Sequence, residues 1–383
     1  MDELAATLRS AIAASPLQRI TFASYMDLVL YHPQYGYYAS PSVNIGSQGD
    51  FFTSPHLCAD FGEVLAEQFV QMWDILGRPK PFTLVEMGGG QGLLAADVLG
   101  YLQKSYPQFF DVLEYVIVEK APGLIAQQQQ MLQDWITNWG RIYWRSWEEI
   151  PSASITGCCF SNELVDALPV HQFVVEEGQL REIYVTANDN FVEVSGELST
   201  LKLTEYFKLV GIELPSSAYA DGYRSEVNLA ALDWLGVVAD RINRGYLLTI
   251  DYGYSAVRYY NPQRSRGTLQ CYYKHRHHDN PYINIGQQDI TAHVDFTALE
   301  RWGELCGLQR VGFTHQGMFL MALGMGDRIA NLASSCGQDI QKLLRRRDAL
   351  HQLIDPAGLG RFGVLVQSKG LKEQETLRGL SMP

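Results

Sequence analysis

From Phe82 onward, short apolar runs alternate with helical stretches, and that alternation limits the fold more than any other feature of the chain. Strands are predicted at Phe82 to Met87, Tyr115 to Glu119, Arg141 to Trp144, Gly157 to Ser161 and Tyr246 to Tyr252, with helices near Leu93 to Lys104, Gly123 to Gln133 and Val227 to Ile242. Successive βα units pair their strands in parallel, and each crossover lays a helix against the sheet, so both faces must be covered. The expected fold is therefore α/β, with a doubly wound, mostly parallel sheet. Leu308 to Thr314 and Arg361 to Gln367 also read as strands, around a helical stretch from Asp327 to Leu353, and are expected to close the sheet as an antiparallel pair.

Two regions depart from the alternation. Residues 1–80 read as a helical region, with Leu4, Leu8 and Ile12 at helical spacing and further helices at Phe22 to Leu30 and Phe61 to Leu76. They include a long aromatic and glycine-rich loop, of the kind that is usually functional when ordered. After Pro169, Gln172 to Glu176, Arg181 to Val185 and Phe191 to Val194 read as a β meander with turns at Glu177-Gly178 and Asn188-Asp189. The chain accordingly divides into 1–80, the helical region and loop; 81–170, the first part of a Rossmann-like cofactor-binding domain; 171–225, a β-rich insertion expected to meet substrate or partner; and 226–383, the rest of the domain with a C-terminal helix and closing strands.

Composition removes several function classes. The 383 residues are 46% hydrophobic and 19% charged, enough apolar material for a sizeable core. Thirty basic against 42 acidic residues leave a net charge of −12, which disfavours nucleic acid as a partner. Six cysteines without a C-x-x-C pair suit a reducing compartment, and the acidic start lacks the basic, apolar pattern of a signal peptide. With no apolar window of membrane-spanning length, the expectation is a cytoplasmic protein without a membrane span. The run Lys274-His275-Arg276-His277-His278-Asp279 reads as a solvated loop, and no metal site is expected.

Chemistry concentrates at two strand ends. Thr83-Leu84-Val85-Glu86-Met87-Gly88-Gly89-Gly90-Gln91-Gly92-Leu93 is a strand, an acid, a glycine turn and a helix start. Glycines at 88, 90 and 92 let the backbone turn sharply and let a ligand approach the helix N-terminus. A dinucleotide fingerprint beginning at Gly88 would need glycine at 93, where Leu93 stands. E-x-G-x-G-x-G is the pattern of S-adenosylmethionine-dependent methyltransferases. Glu119, at the end of the next strand, is placed to accept hydrogen bonds from ribose hydroxyls. A ligand-free βα turn would use the same glycines, and Glu119 alone could be a surface acid; together they select the cofactor reading.

The fourth strand runs into Asn162-Glu163-Leu164-Val165-Asp166-Ala167-Leu168-Pro169. If this stretch is helical, Glu163 and Asp166 share a face and form a carboxylate pair suited to a cationic acceptor such as a guanidinium. The alternative is a capped helix start, with Asn162 or Asp166 as N-cap and Glu163 in the first turn. His293 is a candidate general base, and Asp295 before Phe296 reads as a helix N-cap.

These residues resemble the MidA-type family of class I methyltransferases, which includes a mitochondrial assembly factor for respiratory complex I. The resemblance rests on Tyr35-Gly36-Tyr37-Tyr38, Gly49-Asp50-Phe51-Phe52-Thr53-Ser54-Pro55, the Glu86 to Gly92 turn, Asn162-Glu163 with Asp166 to Pro169, Asp251-Tyr252-Gly253 and Gly286 to Phe296, and covers nearly the whole chain. It implies a seven-stranded Rossmann-like sheet and methyl transfer from S-adenosylmethionine. It also implies that Gly49, Asp50, Thr53, Ser54, Pro55 and Asn162 join the glycine turn and Glu119 around the cofactor, with Glu163 and Asp166 catalytic. The acceptor it implies is a protein side chain, an arginine of a quinone-oxidoreductase subunit; a non-catalytic assembly chaperone on the same fold is the alternative. His56 stands where the family often has an acid, and Gly89 and Gln91 where a proline and a basic residue are common.

Overall fold

The computed structural model describes residues 2–39, 53–274, 276–332, 339–372 and 375–381. Gly49 and Asp50 lie outside these residues. The chain opens with helices α1 (Asp2–Ala14), α2 (Phe22–Tyr31) and α3 (Asp60–Ile75). The Thr21 hydroxyl caps α2 by accepting from the Ser24 amide.

Strands β1 (Phe82–Met87), β2 (Leu113–Val118), β3 (Ile142–Trp144), β4 (Ile155–Asn162), β5 (Ile242–Asp251), β6 (Gln309–His315) and β7 (Gly363–Lys369) form one sheet in the order β6-β7-β5-β4-β1-β2-β3. The pairs from β5 to β3 are parallel, and β7 runs antiparallel to both its neighbours, as the late strand pair predicted. From β1 the chain steps outward through β2 to β3, then returns to place β4 on the other side of β1. That reversal opens a crevice beyond the C-terminal ends of β1 and β4, where ligands bind in open α/β sheets.

Side-chain alternation along the strands builds two cores. Leu84, Tyr115, Cys158, Phe160 and Leu248 face α3 and α4 (Leu93–Ser105) on one side. Val85, Val116, Cys159 and Leu247 face α6 (Leu229–Arg241) and α7 (Phe296–Leu305) on the other, while α5 (Pro122–Met131) follows β2. Each large side chain so buried contributes roughly 1.5–3 kcal/mol. In α8 (Ile340–Ile354), Leu350 and Leu353 join the first core. The vicinal Cys158 and Cys159 are free thiols whose pKa burial raises, as expected of inert core residues.

The meander forms a second sheet from His171–Glu176, Gln179–Ala187, Phe191–Gly196 and Arg224–Val227, joined at its edge by Ile20–Thr21. Positive φ at Glu177 and Gly178 makes the tight hairpin turn that their sequence suggested. Between the third and fourth of these strands lies a helix, Lys202–Val210. The N-terminal stretch divides between two cores: Leu4, Leu8, Phe22 and Tyr25 pack with Val170 and with Val185 and Phe191 of the insertion, whereas α3 covers the main sheet. Helical periodicity marks an apolar face but not the surface that will cover it. Among the described residues no helix is long and apolar enough to cross a membrane.

Gly157 of β4 pairs with Thr83 of β1 and Gly245 of β5, and a Cβ on Gly157 would meet the Thr83 carbonyl oxygen at 2.0 Å. Gly157→Ala is therefore expected to force the central strands apart and to lower stability by about 1–3 kcal/mol or more. Equilibrium urea unfolding measures this; an unchanged midpoint would show that the strands separate at no cost.

Candidate active site

At the end of β1 the chain turns through Gly88, Gly90 and Gly92 at φ 70°, 52° and 85°, all in the left-handed region that favours glycine. The Gly88 amide still donates to the Val118 carbonyl at 3.0 Å, so the turn stays anchored to β2. A Cβ on Gly90 would project into open space, which leaves the backbone free to meet a ligand. Glu86, Gly88, Gly90, Glu119, Asn162 and Glu163 line the cleft there, a space of about 760 Å³ including its open mouth. Thr53 and Pro55 close one side; Gly92 lies behind as the N-cap of α4. The crevice thus brings together most of the residues proposed for the cofactor.

Charge in this cleft is held by a network that the sequence did not reveal. Glu119 accepts from the amides of Lys120 at 2.8 Å and Ala121 at 3.0 Å, and Gln128 donates to its other oxygen at 3.3 Å. The same Gln128 nitrogen donates to the Gly90 carbonyl at 2.9 Å, while the Trp144 indole holds the Gln128 oxygen at 2.8 Å. Gln128 belongs to a glutamine run that looked compositional, and only the folded chain sets it between the glycine turn and Glu119. Burial raises the Glu119 pKa, against those donors. Burial also pushes Glu86 up to about 7, although the Tyr115 hydroxyl donates to it at 2.7 Å. His56 and Gln91, two positions at which the chain departs from the family pattern, meet at 3.2 Å, and the Thr53 hydroxyl and His56 Nδ1 are 2.7 Å apart. Burial lowers the His56 pKa, so this contact joins neutral groups.

The Asn162 to Pro169 stretch corrects an expectation. Glu163 has φ 53° and only Val165–Ala167 forms a short 3₁₀ turn, with Leu164 as its N-cap, so neither a helical carboxylate pair nor a capping role is present. A left-handed residue ends β4 sharply because the Glu163 amide donates to the Ile250 carbonyl at 2.9 Å. Its Oε1 accepts from the Ser54 amide at 3.2 Å and Asn162 Nδ2 at 3.0 Å; Ser54 is buried, with its hydroxyl 3.3 Å from Gln316. Burial, and then the charge of Asp166, push the Glu163 pKa up to about 8. Asp166 faces a second cavity, and burial raises its pKa too. Behind it, Asp251 accepts from the amides of Val165, Asp166 and Tyr252.

The second cavity, about 1280 Å³ with its mouth, adjoins the first; Tyr38, Glu163 and Ala167 line both. Asp166, Asp289, Tyr252, Tyr272 and Phe362 supply acids and aromatic faces to it. Two buried acceptors, Asn162 Oδ1 beside the first cleft and Asp166 Oδ1 beside the second cavity, have no hydrogen-bond partner among the described residues, which is costly unless a ligand donates to them. His293 stacks on Tyr254 with ring centres 5.0 Å apart, and burial, helped by Arg264 and Arg361, lowers its pKa to about 4. Asp295 caps α7 as predicted. Among the described residues no group of three or more potential ligands could hold a metal ion.

A mostly parallel sheet with a glycine turn and a strand-end acid at its crevice defines a nucleoside-cofactor enzyme, and the family model matching residues 64–314 is that of an S-adenosyl-L-methionine-dependent methyltransferase. The chain belongs to that family, the MidA type, and is an S-adenosylmethionine-dependent methyltransferase. It is 32% identical to a Burkholderia thailandensis protein solved bound to S-adenosyl-homocysteine, with a TM-score of 0.86 over 99% of this chain and 95% of that one. It is 31% identical to the mitochondrial protein arginine methyltransferase NDUFAF7 homologue of Drosophila melanogaster, over 96% of this chain and 85% of the relative, and 28% identical to NDUFAF7 of Homo sapiens, over 89% and 78%. The cytoplasmic expectation does not stand, because these relatives are named mitochondrial. Cysteine count and overall composition are weak guides to compartment, which is set by an address that receptors read.

The residues present fit this cofactor: the open approach at Gly90, a supported carboxylate at Glu119 and the unpaired Asn162 oxygen offer room and acceptors. Glu119→Ala is expected to weaken S-adenosylhomocysteine binding by about 1–3 kcal/mol without unfolding the chain, as read by calorimetry. Equal affinity would show that Glu119 makes no contact with the cofactor.

The raised carboxyls also give a pH signature. A group that binds its proton more tightly when folded stabilises the chain most below its unfolded pKa near 4, and that stability is lost as pH rises toward the folded value. Glu163 at about 8, with Glu86, Asp97 and Asp295 at about 7, places the loss between about pH 5 and 8. Asp60 and Glu182, held below the usual range by arginine and histidine partners despite burial, act with opposite sign below that window, and His293 and His56, whose pKa burial lowers, oppose the loss in its lower half without outnumbering the four carboxyls. The melting temperature of the cofactor-free protein should fall across it; a flat or rising profile would show these carboxyls to be charged throughout.

Proposed function

We propose that this methyltransferase acts on the guanidinium of an arginine in a protein, in a quinone-oxidoreductase subunit during assembly of a complex I-like enzyme. One observation carries the reading: Glu163 lines both the cofactor cleft and the acid-and-aromatic cavity beside it. A carboxylate at that junction suits a cationic acceptor, and tyrosine and phenylalanine faces suit a planar guanidinium. The relatives named protein arginine methyltransferase support the acceptor, and the motif resemblance supports the subunit. We read the sheet as the doubly wound class I arrangement, with the insertion at 171–225 and the N-terminal helices as the part that meets the client.

When bound, S-adenosylmethionine supplies a methyl group on a cationic sulfur to a nitrogen nucleophile. Glu86, Gly88, Gly90, Glu119 and Asn162 would hold it. Glu163 has Oε1 tied by Ser54 and Asn162, which leaves Oε2 without a partner among the described residues. A guanidinium in the second cavity donates to Oε2, and its positive charge draws Glu163 into the carboxylate form. That bond orients the nitrogen, and the carboxylate takes the proton the nitrogen releases. Asp166, with Tyr252 bonded to it, supplies a second acceptor through its unpaired Oδ1.

Glu163→Gln keeps the size and removes the charge, so cofactor affinity should stay nearly intact while methyl transfer falls by about 10²-fold or more. Mass spectrometry of an arginine-containing client measures it. Equal methylation by both forms would place the acceptor elsewhere.

A further inference from the structure

The acidic interior of the second cavity opens onto a basic rim. Three guanidinium groups surround the ring of Tyr254, with Arg264 at 4.3 Å, Arg258 at 5.3 Å and Arg361 at 5.6 Å from its centre. Arg361 donates to the Tyr254 hydroxyl at 2.7 Å, and Arg264 donates to the carbonyls of Arg258 and Tyr259. Tyr254 in turn stacks on His293, so the platform is braced from beneath. A third hollow, about 1090 Å³ with its mouth, continues from there and shares Tyr254, Gln270 and His293 with the second cavity, adding Arg264 and Arg266. Glu193 neutralises Arg224 on its wall and Asp279 lines it as well, whereas Arg258, Arg264, Arg266 and Arg361 form no ion pair among the described residues.

Arginines with no acidic partner among the described residues are grouped here in a chain of net charge −12. The grouping creates a local field opposite in sign to the whole, and such fields select partners of the complementary charge. We propose that this rim binds acidic residues flanking the methylated arginine, so that the enzyme selects an arginine set among aspartates or glutamates in its polypeptide client. The inference rests on the arginine-acceptor reading above and extends it outward: Glu163 and Asp166 receive the cationic side chain, and the rim receives the anionic neighbours. Carboxylates are matched to arginine by its planar fork of donors, which can bind them two at a time.

Fluorescence anisotropy with the full-length enzyme saturated with S-adenosylhomocysteine tests this without requiring turnover. Labelled peptides would carry one arginine flanked by aspartate and glutamate, by asparagine and glutamine, or by lysine. The acidic peptide should bind about tenfold more tightly than the neutral one at low salt, with the difference shrinking at high salt. Arg258→Glu, at an exposed position whose side chain makes no hydrogen bond among the described residues, should abolish that preference, and combining it with Arg266→Glu should turn it toward the lysine peptide. Equal binding of all three peptides, or a preference unaffected by both variants, would overturn the proposal. Binding of phosphatidylglycerol vesicles that depends on Arg258, without any peptide preference, would also overturn it and assign the rim to a membrane surface. The arginine reading fails separately: an acidic peptide with alanine in place of arginine would then bind as tightly as its parent, and the parent would gain no methyl group on incubation with S-adenosylmethionine.

Discussion

The parallel pairing of β1 with β4 is the constraint on which the remaining structure depends. It brings Met87 beside Ser161, so the glycine turn and the Asn162-Glu163 corner leave the sheet at adjacent points. Hydrogen bonding between strands fixes that separation to a few ångströms, which no loop contact could do as firmly. Everything chemical follows from it: the cleft lies between the two exits, and Glu163 stands where the cleft meets the second cavity.

Desolvation of carboxyls is the energetic theme of the site. Glu86, Glu119, Glu163, Asp166 and Asp251 all have pKa values raised by burial. Each is supported by donors, but those donors do not cancel the cost of taking a carboxylate out of water, to which neighbouring acids add at Glu86, Glu163 and Asp251. A cationic ligand relieves that cost, so the empty-handed acids favour positively charged visitors. The same physics sets the pH dependence of folding and makes acceptor binding a means of ionising Glu163.

Legibility in the sequence followed the range of the interaction. β1 was predicted at its observed bounds, because apolar alternation and the flanking turn are local signals. Glu119 could be placed from the end of β2, which the sequence put one residue too far along. Glu163 was singled out by its position after a strand, yet its left-handed backbone was missed, because the Ile250 carbonyl that holds it lies in a strand far along the chain. Gln128, Tyr38, Ser54 with Gln316, and Arg258 with Arg361 around Tyr254 are all long-range meetings, and no spacing rule announces them.

The sequence by itself determined the α/β class, the register of the glycine turn and therefore the cofactor. Those depend on backbone sterics and strand periodicity, which operate within a few residues. Only the tertiary structure decided which acids share a recess, which glutamine supports the strand-end carboxylate, and which arginines gather around Tyr254 at the rim. Such properties depend on burial and on partners distant in the chain, and burial is created only when the sheet, the insertion and the N-terminal helices close on one another.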